Sequence, residues 1–364
     1  MSTSYTKLKK LKSHDSEIEF EAEIPLSALE ENTAKVMVDI SSTFELPGFR
    51  KGKVPEDVVR KHVDETHLFE DAANEALKDA IRDIATDSDL SIVGSPQISL
   101  EKISVGNPIV FKVKFALFPE IKLPDYKEIA KAVFERKDNT DVSDTELQQA
   151  IERVQKMLIS EEDKAKSATP PELNDEFVKK IGPFKSVNEF KDELKKQLAE
   201  DKKNKQEEEK RDEMMRDIVK GSKLTVPPLL VDQELERFKE QRDINIKAAG
   251  FTFESYLKES GKTAEVMAKE ERAFIEEQLK SQFVVSEIQK AENILATQQE
   301  IEMNAEFLKF RYPDQSEDYL RSMAETIIMN RKTFDILEGK KQAPVEELDK
   351  VEVEDTADEE KEAE

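Results

Sequence analysis

The chain has 364 residues, with 57 Lys and Arg against 81 Asp and Glu, a formal net charge of -24. Hydrophobic residues make up 37% and charged residues 38%, so cores for about two domains can form, but the charge fraction exceeds the ~25% of an ordinary globular chain. A polyanion is repelled by such a chain, so general nucleic-acid binding is excluded except through a local basic patch.

In chain order, Met1 to Phe20 is polar and Lys-rich and lacks the apolar stretch of a secretory signal. Ile18, Phe20, Ala22 and Ile24 alternate with Glu19, Glu21 and Glu23, which predicts a strand with one buried face. Pro25 ends it, and Ser27 with Glu30 has the spacing of a capping box. The helix that follows places Leu29, Met37, Ile40 and Phe44 near one face. A turn-rich segment, Leu46 to Pro55, comes next. The stripe Leu68, Ala72, Ala76, Ala80 and Ile84 predicts a second helix to about Asp87. From Leu90 to Phe118 strands are expected, broken at Gly94-Ser95-Pro96 and Gly106-Asn107-Pro108. Residues 1–120 therefore read as an α+β domain, an antiparallel sheet with helices on one face.

A connector, residues 121–171, carries one helix: Ser143 and Glu146 form a capping-box pattern ahead of Leu147, Ile151, Val154 and Leu158. Residues 172–343 read as helix throughout, with Pro227-Pro228 opening one helix and Gly250 and Gly261 separating others. The fold class is thus multidomain α+β, followed by an extended all-α region. The stretch Lys191 to Arg216 is almost entirely charged and predicts a helix whose middle projects into solvent. From Pro344 the tail holds eleven acids and two lysines, a composition expected to be disordered.

The segment Gly48-Phe49-Arg50-Lys51-Gly52-Lys53-Val54-Pro55 resembles the ribosome-docking loop of the trigger factor family, whose pattern is G-F-R-x-G-K-x-P. Softer matches are Leu117 to Leu123, similar to the exit from that family's N-terminal domain, Pro171 to Phe177, similar to the start of its helical domain, and Val226 to Val231. The resemblance implies a chaperone that docks at the ribosomal tunnel exit through Gly48, Phe49, Arg50, Lys51, Gly52 and Lys53. Its partners would be the ribosome and nascent or unfolded polypeptides, with no cofactor; independently, no run of 18 apolar residues exists to span a membrane, and a cytoplasmic location is expected. Dimerisation of the free protein stays open.

One departure matters. The common family layout inserts an FKBP-type prolyl-isomerase domain after the connector. Here the connector helix is expected to end near Ser160 and the helical domain to begin near Pro171, and no Gly occurs between Gly106 and Gly182. So short a gap cannot hold a domain. The isomerase domain is therefore expected to be absent, and its activity is not carried over.

The loop's chemistry fits docking independently. Glycines and prolines favour a tight exposed turn, Arg50, Lys51 and Lys53 concentrate positive charge, and Phe49 offers an apolar anchor. Six of the nine methionines, Met214, Met215, Met267, Met303, Met323 and Met329, lie in the helical half with eleven phenylalanines. Flexible side chains of this kind suit surfaces that accept many sequences, although core packing accounts for most of them. The resemblance implies a cradle of helices with apolar patches in a charged rim. Catalytic candidates are poor. His62 and His67 are not spaced for one helical face, no cysteine exists, and no phosphate-binding loop, dinucleotide fingerprint or nucleophile elbow occurs. The competing readings are a prolyl isomerase of trigger-factor type and a ribosome-associated adaptor without holdase activity.

Overall fold

The computed structural model describes residues 4–14, 16–157 and 172–340. In chain order its first elements are β1 (Thr6–His14), β2 (Glu17–Ile24), α1 (Leu26–Thr43), α2 (Glu56–Arg60), α3 (Glu65–Asp87), β3 (Ile92–Lys102) and β4 (Ile109–Leu117). There follow α4 (Tyr126–Phe134), α5 (Asp144–Met157), α6 (Asp175–Ile181), α7 (Val187–Gly221), α8 (Pro228–Ala248), α9 (Phe253–Ser260), α10 (Ala264–Ala291), α11 (Gln298–Arg311) and α12 (Glu317–Leu337). The contacts divide the chain into two compact units, one of 1–122 with 223–283, the other of the described residues within 123–222 and from 284 onward. Residues 223–283 thus belong with the sheet, where reading in chain order grouped them with the remaining helices.

In the first unit four antiparallel strands pair in the order β1-β2-β4-β3. Alternation decides which face is wet. Ile18, Phe20, Ala22 and Ile24 of β2 pair with Phe115, Val113, Phe111 and Ile109 of β4, and all are buried against α1 and α3. The stripe predicted for α3 is buried as expected, from Leu68 to Ile84. On the opposite face Glu19 and Glu21 sit across from Lys114 and Lys112, cross-strand pairs of opposite charge that favour this register.

The second cluster of the unit covers one corner of that outer face. Ala116 and Val93 pack with Leu229, Leu230 and Val231 of α8 and with Leu279 and Phe283 of α10. Glu17 fixes the corner. Its Oε2 lies 2.7 Å from Lys114 Nζ, and its Oε1 accepts the Leu229 N–H at 2.7 Å. Pro227 is the N-cap of α8 and supplies no side-chain cap, so a carboxylate from β2 satisfies an amide that a helix start otherwise leaves open.

The structure adds one strand and departs from two expectations. Strand β1 was not foreseen, because its alternation is hidden by lysines at 7, 9, 10 and 12; those lysines suit an edge strand, which charge keeps from pairing further. Ser27 is not a cap: α1 begins at Leu26 with Pro25 as N-cap and no side-chain hydrogen bond. Gly94-Ser95-Pro96 does not end a strand. β3 runs through it with a register shift between Val93 and Gln97, and Gly94 at φ +70° lies where a Cβ would meet Leu230 Cδ1 at 2.8 Å.

In the second unit the expected capping box of α5 forms. The Ser143 N–H donates to Glu146 Oε2 at 2.8 Å and the Glu146 N–H to Ser143 Oγ at 3.3 Å. One cation and the capping donors lower the Glu146 carboxyl together: the Lys202 hydrogen bond first, then the Ser143 N–H and hydroxyl, bring it to about 2. Helix α7 is 35 residues long, and its middle does not stand alone in solvent. The segment between α4 and α5 runs along it: Gln206 exchanges hydrogen bonds with the Asn139 backbone at 2.8 and 3.1 Å, Lys202 Nζ donates to Asp141 O at 2.8 Å, and Arg136 grips Glu213 at 2.8 Å. Polar side chains can mate with a polar strap, which a search for apolar stripes does not see. Helices α11 and α12 pack through Ala305, Leu308, Leu320 and Ala324. The end of α12 is tied to α7 by Glu338, whose side chain is 1% exposed beside Arg211 and Lys340. Burial pushes this carboxyl up, but the two cations overcome it and hold it below its ordinary value. The tail from Pro344 and the predicted end of the connector, 158–171, lie outside the described residues.

Candidate functional site

The octapeptide lies between α1 and α2. Helix α1 ends when Phe44 turns to an extended conformation. The chain then closes on itself three times: the Phe49 N–H donates to Leu46 O at 3.0 Å, the Lys53 N–H to Arg50 O at 2.9 Å, and the Gly52 N–H to Phe44 O at 3.2 Å. Two of these turns need positive φ, which Gly48 supplies at +94° and Gly52 at +68°. Gly52 is required twice over, because a Cβ there would lie 2.5 Å from the backbone oxygen of Ser42.

The loop's base is buried and its tip is exposed. Val54 and Val59 pack with Val36, Met37, Leu68 and Ala72 from the ends of α1 and α3. Phe44 and Leu46 lean on the same cluster. The Phe44 ring also lies 6.1 Å from the ring of His62. Outside this base, Gly48, Phe49, Arg50, Lys51 and Lys53 are all exposed, Phe49 at 45%. Lys51 forms an ion pair with Glu45 at 3.0 Å. Arg50 and Lys53 carry no ion pair among the described residues. Arg60 and Lys61 lie exposed at the end of α2. The arrangement is a cationic tip on a buried base, with one aromatic ring, suited to an anionic surface that also has an apolar recess.

The histidines do not act together: His62 Nδ1 bonds Val58 O at 2.8 Å, while His67 faces Glu70 at 3.5 Å. No group of three metal-ligating side chains occurs among the described residues. None of the helices described is long and apolar enough to cross a membrane.

The six methionines are not equivalent. Met214 and Met267 are buried, at 0% and 7% exposure, while Met303 is 43% exposed. Met215, Met323 and Met329 are half-buried. Larger exposed apolar side chains lie elsewhere, and Phe274, expected from its spacing with Leu279 and Phe283 to pack in a core, is one of them at 56% exposure. In the first unit Ile244, Phe251, Tyr256 and Phe274 are open. Phe251 and Tyr256 line a cleft of about 660 Å³ with Phe238 and Ile246. In the second unit Met303, Phe307 and Phe310 follow one another at spacings of four and three on α11, with Phe310 91% exposed, on the side away from Ala305 and Leu308. A second apolar stripe on one helix was the signal available in sequence.

Two family models match in chain order: "Bacterial trigger factor protein (TF)" over residues 6–154 and "Bacterial trigger factor protein (TF) C-terminus" over residues 186–338. The chain belongs to the trigger factor family. Only residues 155–185 lie between the two matched segments, and no FKBP-type domain is detected there. The trigger factor of Caldanaerobacter subterraneus subsp. tengcongensis is 25% identical over 396 aligned positions, covering 85% of this chain and 90% of the relative. That of Thermoanaerobacter sp. is 24% identical, covering 89% of this chain and 94% of the relative. A solved structure described as "Promiscuous Substrate Recognition in Folding and Assembly Activities of the Trigger Factor Chaperone" is similar over 92% of this chain at 17% identity and a TM-score of 0.47.

Proposed function

We propose that this chain is a cytoplasmic, ATP-independent chaperone that docks on the ribosome near the tunnel exit and shields nascent or unfolded polypeptides, without prolyl-isomerase activity. The observation that carries the reading is the loop 44–55, in which a buried base holds Phe49, Arg50, Lys51 and Lys53 exposed on an otherwise acidic chain. Membership of the trigger factor family supports it.

Client shielding is assigned to the exposed apolar side chains of the helices, Met303, Phe307 and Phe310 in one unit and the Phe251–Tyr256 cleft in the other. Among the methionines, the exposed Met303 would make direct contact. Met215, Met323 and Met329 would contribute their exposed edges, and Met214 and Met267 would support the helices from within. Apolar burial contributes roughly 25 cal/mol per Å² before ordering costs. Small separate patches therefore hold an unfolded chain weakly, and folding of the client removes the surface they grip, so release needs no nucleotide.

The test is co-sedimentation with ribosomes. Replacing Phe49, Arg50 and Lys51 together by Ala should abolish pelleting while the circular dichroism spectrum stays that of the wild type. Pelleting at the wild-type level would refute the docking assignment. A proline-limited refolding assay should show no acceleration of the slow phase. Failure to suppress aggregation of a denatured client at excess chaperone would leave the adaptor reading in its place.

A further inference from the structure

We propose that Glu45 is a specificity residue of the docking loop: by holding Lys51 in an ion pair, it lowers the loop's attraction to free single-stranded RNA. The proposal rests on the docking reading of the loop. Glu45 is the one acid between Phe44 and Pro55, against Arg50, Lys51 and Lys53. It stands on the limb entering the loop and Lys51 on the limb leaving it. The Gly52 N–H to Phe44 O bond brings those limbs together at 3.2 Å, and the pair closes across them at 3.0 Å.

The pair is not a folding device. Its side chains are 64% and 68% exposed, and pairs so open to water contribute little to stability. What it changes is the charge the tip presents. A flexible polyanion gains affinity by counting cations, since each phosphate neutralised releases counterions. With Lys51 held in cis, a strand meets Arg50 and Lys53 free and a neutralised pair between them. The acidic remainder of the chain acts at long range and is screened beyond roughly 8 Å at physiological salt, so discrimination at contact has to be local. A folded docking surface is recognised by shape and by the Phe49 ring as well as by charge, and loses less to the pair. Glu56 and Asp57, the next acids, occupy the first turn of α2, where they complement the helix dipole instead of pairing with the tip.

The experiment uses the full chain, with Glu45→Gln beside the wild type and Glu56→Gln as a charge-matched control. The probe is a fluorescent oligouridine read by anisotropy across a salt series, with ribosome pelleting in parallel. Glu45→Gln should bind oligouridine about 1.5- to 5-fold more tightly, the range of an exposed ion pair. The slope of log affinity against log salt should steepen by about 0.7, one added phosphate contact on a single strand. Glu56→Gln should keep the wild-type slope, and ribosome pelleting of Glu45→Gln should stay within about twofold of wild type. An unchanged affinity and slope in Glu45→Gln, no measurable RNA binding by it at low salt, or an equal effect of Glu56→Gln overturns the proposal. Loss of ribosome pelleting by the wild type is a different result: it refutes docking, while the RNA series still decides what Glu45 does.

Discussion

Replacing Gly52 by Ala should open the neck of the loop, and the structure says by how much. The residue sits at φ +68°, a conformation that costs an L-residue about 1–2 kcal/mol. The new Cβ would stand 2.5 Å from Ser42 O and 3.3 Å from Ser42 C. That is about 1 Å inside the ~3.5 Å of an ordinary non-bonded contact, and both atoms belong to the backbone of α1, so no side chain can rotate away. Relief requires moving the loop off α1, which breaks the Gly52 N–H to Phe44 O bond and forfeits about 0.5–1.5 kcal/mol more. The sum is about 1.5–3.5 kcal/mol. Gly48→Ala is the matched control: φ is +94° but nothing lies within 4 Å of its Cβ, so only the conformational cost of about 1–2 kcal/mol applies. Amide hydrogen exchange at residues 49, 52 and 53 reads local opening directly. Gly52→Ala should lose protection at the residue-52 amide by about 2- to 13-fold more than Gly48→Ala loses at the loop, and should pellet with ribosomes less well. Equal protection in the two variants would refute the argument that the close approach to Ser42 builds the loop.

Two other perturbations test the packing behind the site. Glu17→Ala should destabilise the first unit by about 2–3 kcal/mol in urea unfolding, since it strands Lys114 and uncaps α8 together; Glu17→Gln, which keeps an acceptor for Leu229, should lose less, and equality of the two would refute the capping role. Glu338 should make the second unit acid-sensitive: its folded carboxyl is held below the ordinary value, so its stabilisation is present above the unfolded glutamate range near ~4.3 and is lost as pH falls through the lower folded value. Glu338→Gln should flatten the acid limb of a pH-stability curve, and an unchanged limb would count against the Arg211–Glu338–Lys340 network.

What the sequence determined by itself was local. The α3 stripe, the alternation of β2 and β4, the Ser143–Glu146 box, the Pro227-Pro228 helix start and the loop motif are all patterns within a few residues, where period and turn chemistry are read directly. Tertiary structure decided the rest, because it depends on partners far apart in the chain. A lysine-rich stretch is a strand only because β2 lies beside it with Glu19, Glu21 and Glu23. The cap of α8 comes from Glu17, more than two hundred residues earlier. The charged middle of α7 is covered because Asn139 and Asp141 return to it. Composition likewise marked the helical half as rich in Met and Phe, but only packing separates Met214, at 0% exposure, from Phe310, at 91%. An apolar side chain carries the same sequence signal inside a core and on a surface, and the neighbours that exclude water from one and not the other are set by the fold.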